Sequence, residues 1–241
     1  MNYKITLKYN GSNFHGWAIQ NEQRTIQQVI QEALTVFFTE NIVINGSGRT
    51  DAKVHAIKQF FNFHNEKIVN LIELKKYLNH KLRYDIFIDE IEIVEEEFHA
   101  RYDVKEKTYL YKINEDKNYD VFTSDYIYQY NREIDIDKIK EIIDLFIGNK
   151  DFLSFSTTEV KNTVREIKKI EILKKEDSIE FYITGKGFLR NMVRMIIGSF
   201  LAFNENKITK EDINNLFINP QKGKSIYKAP GCGLYLFNVI Y

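Results

Sequence analysis

Residues 46 to 55, GSGRTDAKVH, bring a guanidinium (Arg49), a carboxylate (Asp51), an ammonium (Lys53) and an imidazole (His55) onto one short loop. An ionised carboxylate in such a place can attack an electrophilic carbon or remove a proton, provided a substrate is held at reactive distance. Arg49 can grip a phosphate, or fill the space left by a displaced base through hydrogen bonding and stacking. The same residues also make a polar turn in which Gly46 and Gly48 permit unusual dihedrals, Asp51 caps backbone N–H groups and Arg49 pairs with Asp51. His55 precedes a hydrophobic strand with no catalytic partner in view, so it reads as a structural hydrogen-bonding residue.

Two more groups could join such chemistry. Lys107, Tyr109 and Tyr111 share strand parity, so a ring there can stack on a nucleobase, although alternating aromatics equally build sheet faces. Arg190 and Arg194 are one helical repeat apart and can face a shared anion. From Gly185 to Ala202 the chain carries Lys186, Arg190 and Arg194 but no acid. That charge can hold a carboxylate ionised, receive a phosphate, or simply snorkel from an apolar helix.

The elements that must position these groups are written in the hydrophobic pattern. Tyr3, Ile5, Leu7 and Tyr9 alternate as a strand that turns at Asn10-Gly11. Ile26, Val29, Ile30, Ala33, Leu34, Phe37 and Phe38 predict a helix from near Thr25. Ile42-Val43-Ile44 and the Phe-rich segment after the loop read as paired strands, followed by a polar helix over 71–82. Ile86, Ile88, Ile91 and Ile93 predict a strand or a bulged pair, and the acidic run at 95–97 marks a boundary between residues 1–97 and 98–241.

Beyond it come a strand through Tyr109, Tyr111 and Ile113, and a helix holding Ile139, Ile142, Ile143 and Phe146. A strand through Ile179, Phe181 and Ile183 leads to an apolar helix opening at GKGFLRN, then a second helix over 209–217 and a closing strand LYLFNVIY. The order predicts an α+β fold of two related halves sharing one sheet. No phosphate fingerprint accompanies it, which argues against a nucleotide-binding α/β fold and against a nucleotide cofactor.

Composition narrows the setting. The chain has 241 residues, 44% hydrophobic and 28% charged, with two prolines, which excludes a disordered or fibrous class. One cysteine, Cys232, cannot close an intrachain disulfide, and five dispersed histidines show no metal-ligand spacing. No charge-free apolar run reaches the length of a membrane helix, so a cytoplasmic protein is expected. Thirty-four cationic and thirty-four acidic residues sum to zero, yet residues 1 to 83 hold eleven Lys or Arg against six acids, and 84 to 97 hold seven acids and no base. Segregation on that scale allows a local basic track for RNA that the total conceals.

At GRTDAKVHA the chain closely resembles the tRNA pseudouridine synthase A family. YNGSNFHGW, RTIQQVIQEAL, FHAR (98 to 101), KTYLYKI, GFLRNMVRMIIG and APGCGLYL extend the match over nearly the whole sequence. The resemblance implies the pseudouridine synthase fold: two α/β subdomains sharing a mixed, largely antiparallel sheet with helices packed on it, the first carrying the aspartate loop and the second the Tyr and Arg of the cleft. It implies isomerisation of uridines 38, 39 and/or 40 in the anticodon stem-loop of tRNA by a homodimer without an organic cofactor.

It further implies Asp51, Tyr109 and Arg194 as catalytic residues, with Arg49, Lys53, Tyr109, Tyr111 and Arg190 contacting RNA or supporting the site. Asp51 would attack C1′ or promote loss of the C2′ proton, Tyr109 would stack on the base, and Arg194 would favour the ionised carboxylate. Three positions depart from the family pattern: Lys53 replaces a glycine, Ala18 a glutamine and Arg83 a proline. A noncatalytic tRNA-binding or RNA-folding protein is the alternative, and it leaves the joint GRTD, KTY and MVR pattern unexplained.

Overall fold

The computed structural model describes residues 1–116 and 118–241, in two compact units. The first is Met1–Lys105 with Tyr235–Tyr241, the second Glu106–Leu234. The acidic run at 95–97 follows a strand and lies inside the first unit.

The first unit contains β1 (Asn2–Tyr9), α1 (Ile26–Phe38), β2 (Asn45–Gly46), β3 (His55–His64), α2 (Leu71–Lys81) and β4 (Ile86–Val94). β1 pairs antiparallel with both β3 and β4, Tyr3 lying opposite Phe63 and Ile93. The alternation of β1 buries Tyr3, Ile5, Leu7 and Tyr9. Fully burying side chains of this size contributes roughly 1.5–3 kcal/mol each. The irregular spacing of Ile88 and Ile91 on β4 has a cause: the β1–β4 register shifts between Thr6 and Leu7, so a bulge restores both isoleucines to the inner face. α1 buries Ile26, Ile30, Ala33, Leu34 and Phe38, and Phe38 meets Tyr3 edge-on at 6.1 Å.

Ile42 to Ile44 do not form a strand. Their alternation is real, since Ile42 and Ile44 are buried and Val43 is exposed. Their backbone N–H groups, however, donate to Thr35 Oγ1 and Gln31 Oε1 of α1 instead of to a neighbouring strand. Strand pairing begins only at β2.

The second unit contains β5 (Glu106–Asn114), β6 (Tyr128–Gln129), α3 (Ile136–Ile143), β7 (Gly148–Asp151), a 3₁₀ turn (Leu153–Phe155), β8 (Val164–Lys174), β9 (Ile179–Gly185), α4 (Met192–Asn204) and α5 (Lys210–Ile218). β5, β9, β8 and β7 run antiparallel in that order, and β6 adds to β5 in parallel. β10 (Leu234–Ile240) ends the chain, and its Tyr235 and Leu236 pair in parallel with His55 and Ala56 of β3 in the first unit. The architecture is therefore α+β with a mixed, largely antiparallel sheet and helices packed on it. Phe146 follows α3 rather than belonging to it, and its ring packs 5.1 Å from Phe200 of α4 and 5.4 Å from Phe217 of α5. Among the described residues no helix is long and apolar enough to cross a membrane.

Candidate functional site

The loop from Gly46 to Val54 is fastened mainly through its backbone. At its start Ser47 N–H donates to Phe60 O at 2.7 Å, while Gln59 Nε2 donates to Gly48 O at 3.0 Å and its Oε1 accepts from Ser47 Oγ. Further on, Trp17 N–H donates to Thr50 O at 3.0 Å and Lys53 N–H to Phe14 O at 3.1 Å. Thr50 Oγ1 lies 2.8 Å from the hydroxyl of buried Tyr9, whose ionisation burial pushes upward, keeping it neutral. Val54 N–H closes the turn onto Asp51 O at 3.2 Å.

The segment YNGSNFHGW exists in this form because it lies against that loop. Gly16 takes φ +95°, and a Cβ there would stand 2.5 Å from Thr50 O. At Gly11 a Cβ would overlap the Val54 carbonyl oxygen. Only glycine allows both approaches. Gly11 N–H also donates to Nδ1 of buried His55 at 3.1 Å, and the His55 ring stacks on Tyr235 at 4.7 Å. His55 thus accepts a hydrogen bond, as expected of a structural hydrogen-bonding residue, and packs as well.

Asp51 is half-buried on this anchored turn, while Arg49 and Lys53 are exposed on either side. Lys53 adopts φ +63°, the left-handed conformation that glycine would take without strain, so the substitution keeps the turn and adds a cation. The loop therefore presents one carboxylate flanked by two cations, on a backbone already fixed before any substrate arrives.

In the second unit, Tyr109 and Tyr111 share a face of β5, opposite Ile183 and Phe181 of β9. Tyr109 is largely buried and meets Phe188 edge to face at 5.0 Å. Tyr111 is fully buried, and its hydroxyl donates to Pro230 O at 2.8 Å. Arg194 on α4 is half-buried; its Nε donates to Ala229 O at 2.8 Å and its guanidinium also to Asn191 Oδ1 at 3.1 Å.

Arg190 does not share the helical face expected of it. α4 begins at Met192, and the intervening Asn191 is left-handed at φ +62°, so the four-residue spacing of Arg190 and Arg194 is not a helical repeat. Arg190 is exposed in the turn before the helix, where its carbonyl accepts from Thr157 N–H at 3.2 Å. Sequence reasoning missed Thr50 and Gln59, which hold the loop, and Asn191 and Ala229, which hold Arg194. An asparagine immediately before an apolar helix was the available signal for Asn191.

The neutral total charge resolves into two populations. Lys4 pairs with Glu92 at 2.9 Å, Lys112 with Glu180 at 3.3 Å and Lys174 with Glu115 at 2.7 Å, neutralising cations along the sheets. Among the described residues, Arg49, Lys53 and Arg190 enter no ion pair, and no His, Cys, Asp and Glu cluster has the makings of a metal site.

A family model described as tRNA pseudouridine synthase matches residues 5–103 and 142–241. The chain is 48% identical over 243 residues to "tRNA pseudouridine synthase A" of Malacoplasma penetrans, all of both chains being covered. It is 44% identical to the protein of that name from Ureaplasma parvum serovar 3 and 38% identical to that of Thermodesulfovibrio yellowstonii, again over the whole of both chains. With the family model matching most of its length and relatives of 38–48% identity covering all of it, the chain belongs to the tRNA pseudouridine synthase A family, enzymes that isomerise uridine in tRNA to pseudouridine.

Proposed function

We propose that Asp51 is the carboxylate that detaches uracil from ribose in this chain, acting on uridines 38, 39 and/or 40 of the tRNA anticodon stem-loop within a cytoplasmic homodimer. The observation that carries this reading is the setting of Asp51: it is the only acid between residues 46 and 55, half-buried, on a turn anchored through Gly48, Thr50, Lys53 and Val54. An anchored carboxylate loses little freedom when it meets a substrate, which is where effective concentration comes from.

The chemistry needs no outside oxidant or group donor. Either the carboxylate adds to C1′ as the C1′–N1 bond breaks, or it removes the C2′ proton as uracil departs to leave a glycal. Uracil then turns while still held and C5 bonds to C1′, breaking the C1′–O bond to the carboxylate in the first route or with the proton returned to C2′ of the glycal in the second; the C5 proton is lost and N1 gains one, so the product is an isomer of the substrate. Tyr109 stacks on the base, Arg194 contributes positive charge that favours the anionic groups of the reaction, and Tyr111 supports the turn at Pro230. Arg49, Lys53 and Arg190 supply unpaired cations to the RNA backbone, and Arg49 also fills the space left by the extruded nucleotide.

Purified protein incubated with an unmodified tRNA transcript bearing uridine at 38, 39 and 40, with no cofactor added, should convert at least one of those three when pseudouridine is mapped position by position. Conversion confined to other positions would overturn the target assignment. Light scattering should give about twice the 28.7 kDa chain mass, and a monomeric mass for the active protein would remove the homodimer.

A further inference from the structure

We infer that Asn191 is a positioning residue for the reaction: its left-handed backbone and its side-chain amide together aim the Arg194 guanidinium without neutralising it. The inference rests on the role proposed above for Arg194.

Asn191 stands at the start of α4 at φ +62°, ψ 0°, and caps no helical N–H with its side chain. An asparagine before a helix ordinarily turns its side-chain oxygen to the first free backbone donors. Here both ends of the amide are used elsewhere. Oδ1 accepts from the Arg194 guanidinium at 3.1 Å, and Nδ2 donates to Thr157 Oγ1 at 2.7 Å. Thr157 is itself tied to this corner, its N–H donating to Arg190 O at 3.2 Å.

The other hold on Arg194 comes from the opposite side of the sequence. Nε donates to Ala229 O at 2.8 Å, and Ala229 N–H returns a bond to Arg194 O at 3.0 Å. The turn that follows is pinned to β5 by the Tyr111 hydroxyl on Pro230 O at 2.8 Å and by Lys112 N–H on Gly233 O at 2.8 Å. Ala229 O and Asn191 Oδ1, each anchored separately, thus both hold the guanidinium.

Both acceptors are neutral. An amide oxygen and a peptide carbonyl direct a guanidinium through hydrogen bonds but cancel none of its formal charge, whereas a carboxylate at either place would. No acid occurs between Gly185 and Ala202 either, so the segment itself brings no carboxylate to this corner. Asparagine meets both demands at position 191, because it tolerates the left-handed conformation and offers a neutral acceptor.

Asn191→Gly separates the backbone role from the side-chain role. Glycine adopts the left-handed conformation at least as readily, so a purely conformational role predicts wild-type behaviour. We expect instead a single-turnover rate constant, measured with enzyme in excess over tRNA, lowered by about 10–100-fold for a misplaced catalytic group. The tRNA dissociation constant and the thermal midpoint should stay near those of wild type. Asn191→Asp, which keeps the acceptor but adds charge, should also be slow.

A rate for Asn191→Gly within about twofold of wild type, beside an Arg194→Ala variant slowed by about 100-fold or more, would overturn the inference and leave the role of Arg194 standing. Were Arg194→Ala itself fully active, the proposed role of Arg194 would fall, and the positioning role with it.

Discussion

Asp51→Asn is expected to fold normally, bind tRNA and form no pseudouridine above background, a loss of about 10⁴-fold or more in single-turnover rate, as expected for removing a reacting group. Asparagine has nearly the shape of aspartate, but its neutral amide neither forms a stable ester with C1′ nor accepts the C2′ proton, so both routes close together. The fold should tolerate the change because the anchors of the loop lie in other groups: the Gly48 and Thr50 carbonyls, the Lys53 and Val54 N–H groups and the Tyr9–Thr50 hydroxyl pair. Circular-dichroism melts and tRNA binding by filter retention would verify the first two points, and a pseudouridine-specific chemical readout the third. Substantial conversion by a folded Asp51→Asn enzyme would contradict the assignment.

Gly11→Ala is expected to have the second largest effect, through the scaffold. The added methyl overlaps the Val54 carbonyl oxygen, a backbone atom that cannot swing aside as a long side chain would. Val54 closes the turn onto Asp51, and the Gly11 N–H is bonded to His55, so relief of the overlap must move the carboxylate or break that bond. Overpacking of this kind costs typically 1–3 kcal/mol, so a loss of about 3 kcal/mol should appear as a lower urea midpoint. Conversion should fall by about 100-fold in the fraction that remains folded, since displacement by about 1 Å has that effect on a catalytic group. Gly187→Ala is a suitable control for stability, because a Cβ there meets nothing within 4 Å. Equal urea midpoints for the Gly11→Ala and Gly187→Ala proteins would show that the contact with Val54 is not restrictive.

Much of the fold was legible because burial is periodic. α1 follows its apolar stripe from Ile26 to Phe38, and β1 follows its alternation from Asn2 to Tyr9. Where legibility failed, hydrogen bonding or a bulge had broken the link between period and pairing. In β8 the buried Ile167 and Ile170 are three residues apart, because the register with β9 shifts between Ile167 and Lys169. With Lys168, Lys169 and Glu171 exposed around them, no two-residue period survives to signal a strand. At Ile42 to Ile44 the reverse holds: the period is present, but side chains of α1 take the backbone donors.

The loop from Gly46 to Val54 was legible in its residue types, yet composition and spacing left Asp51 open to a capping role as well as a chemical one. Family resemblance, not periodicity, singled it out. The anchors were harder to see. Thr50 and Gln59 are ordinary polar residues until the fold brings them to Tyr9 and Gly48. The left-handed turn at Asn191 likewise undid a four-residue spacing that looked helical. Residues that hold a site act through backbone geometry, and a one-dimensional pattern records that poorly.

The most direct test is a single-turnover reaction: enzyme in excess over an unmodified tRNA transcript, no cofactor, pseudouridine quantified over time in parallel for wild type and Asp51→Asn. Wild-type protein is expected to convert about one uridine or more per tRNA while the variant binds the same RNA and converts none. Wild-type protein that binds the tRNA and yields no pseudouridine, or a variant that converts at the wild-type rate, would contradict this.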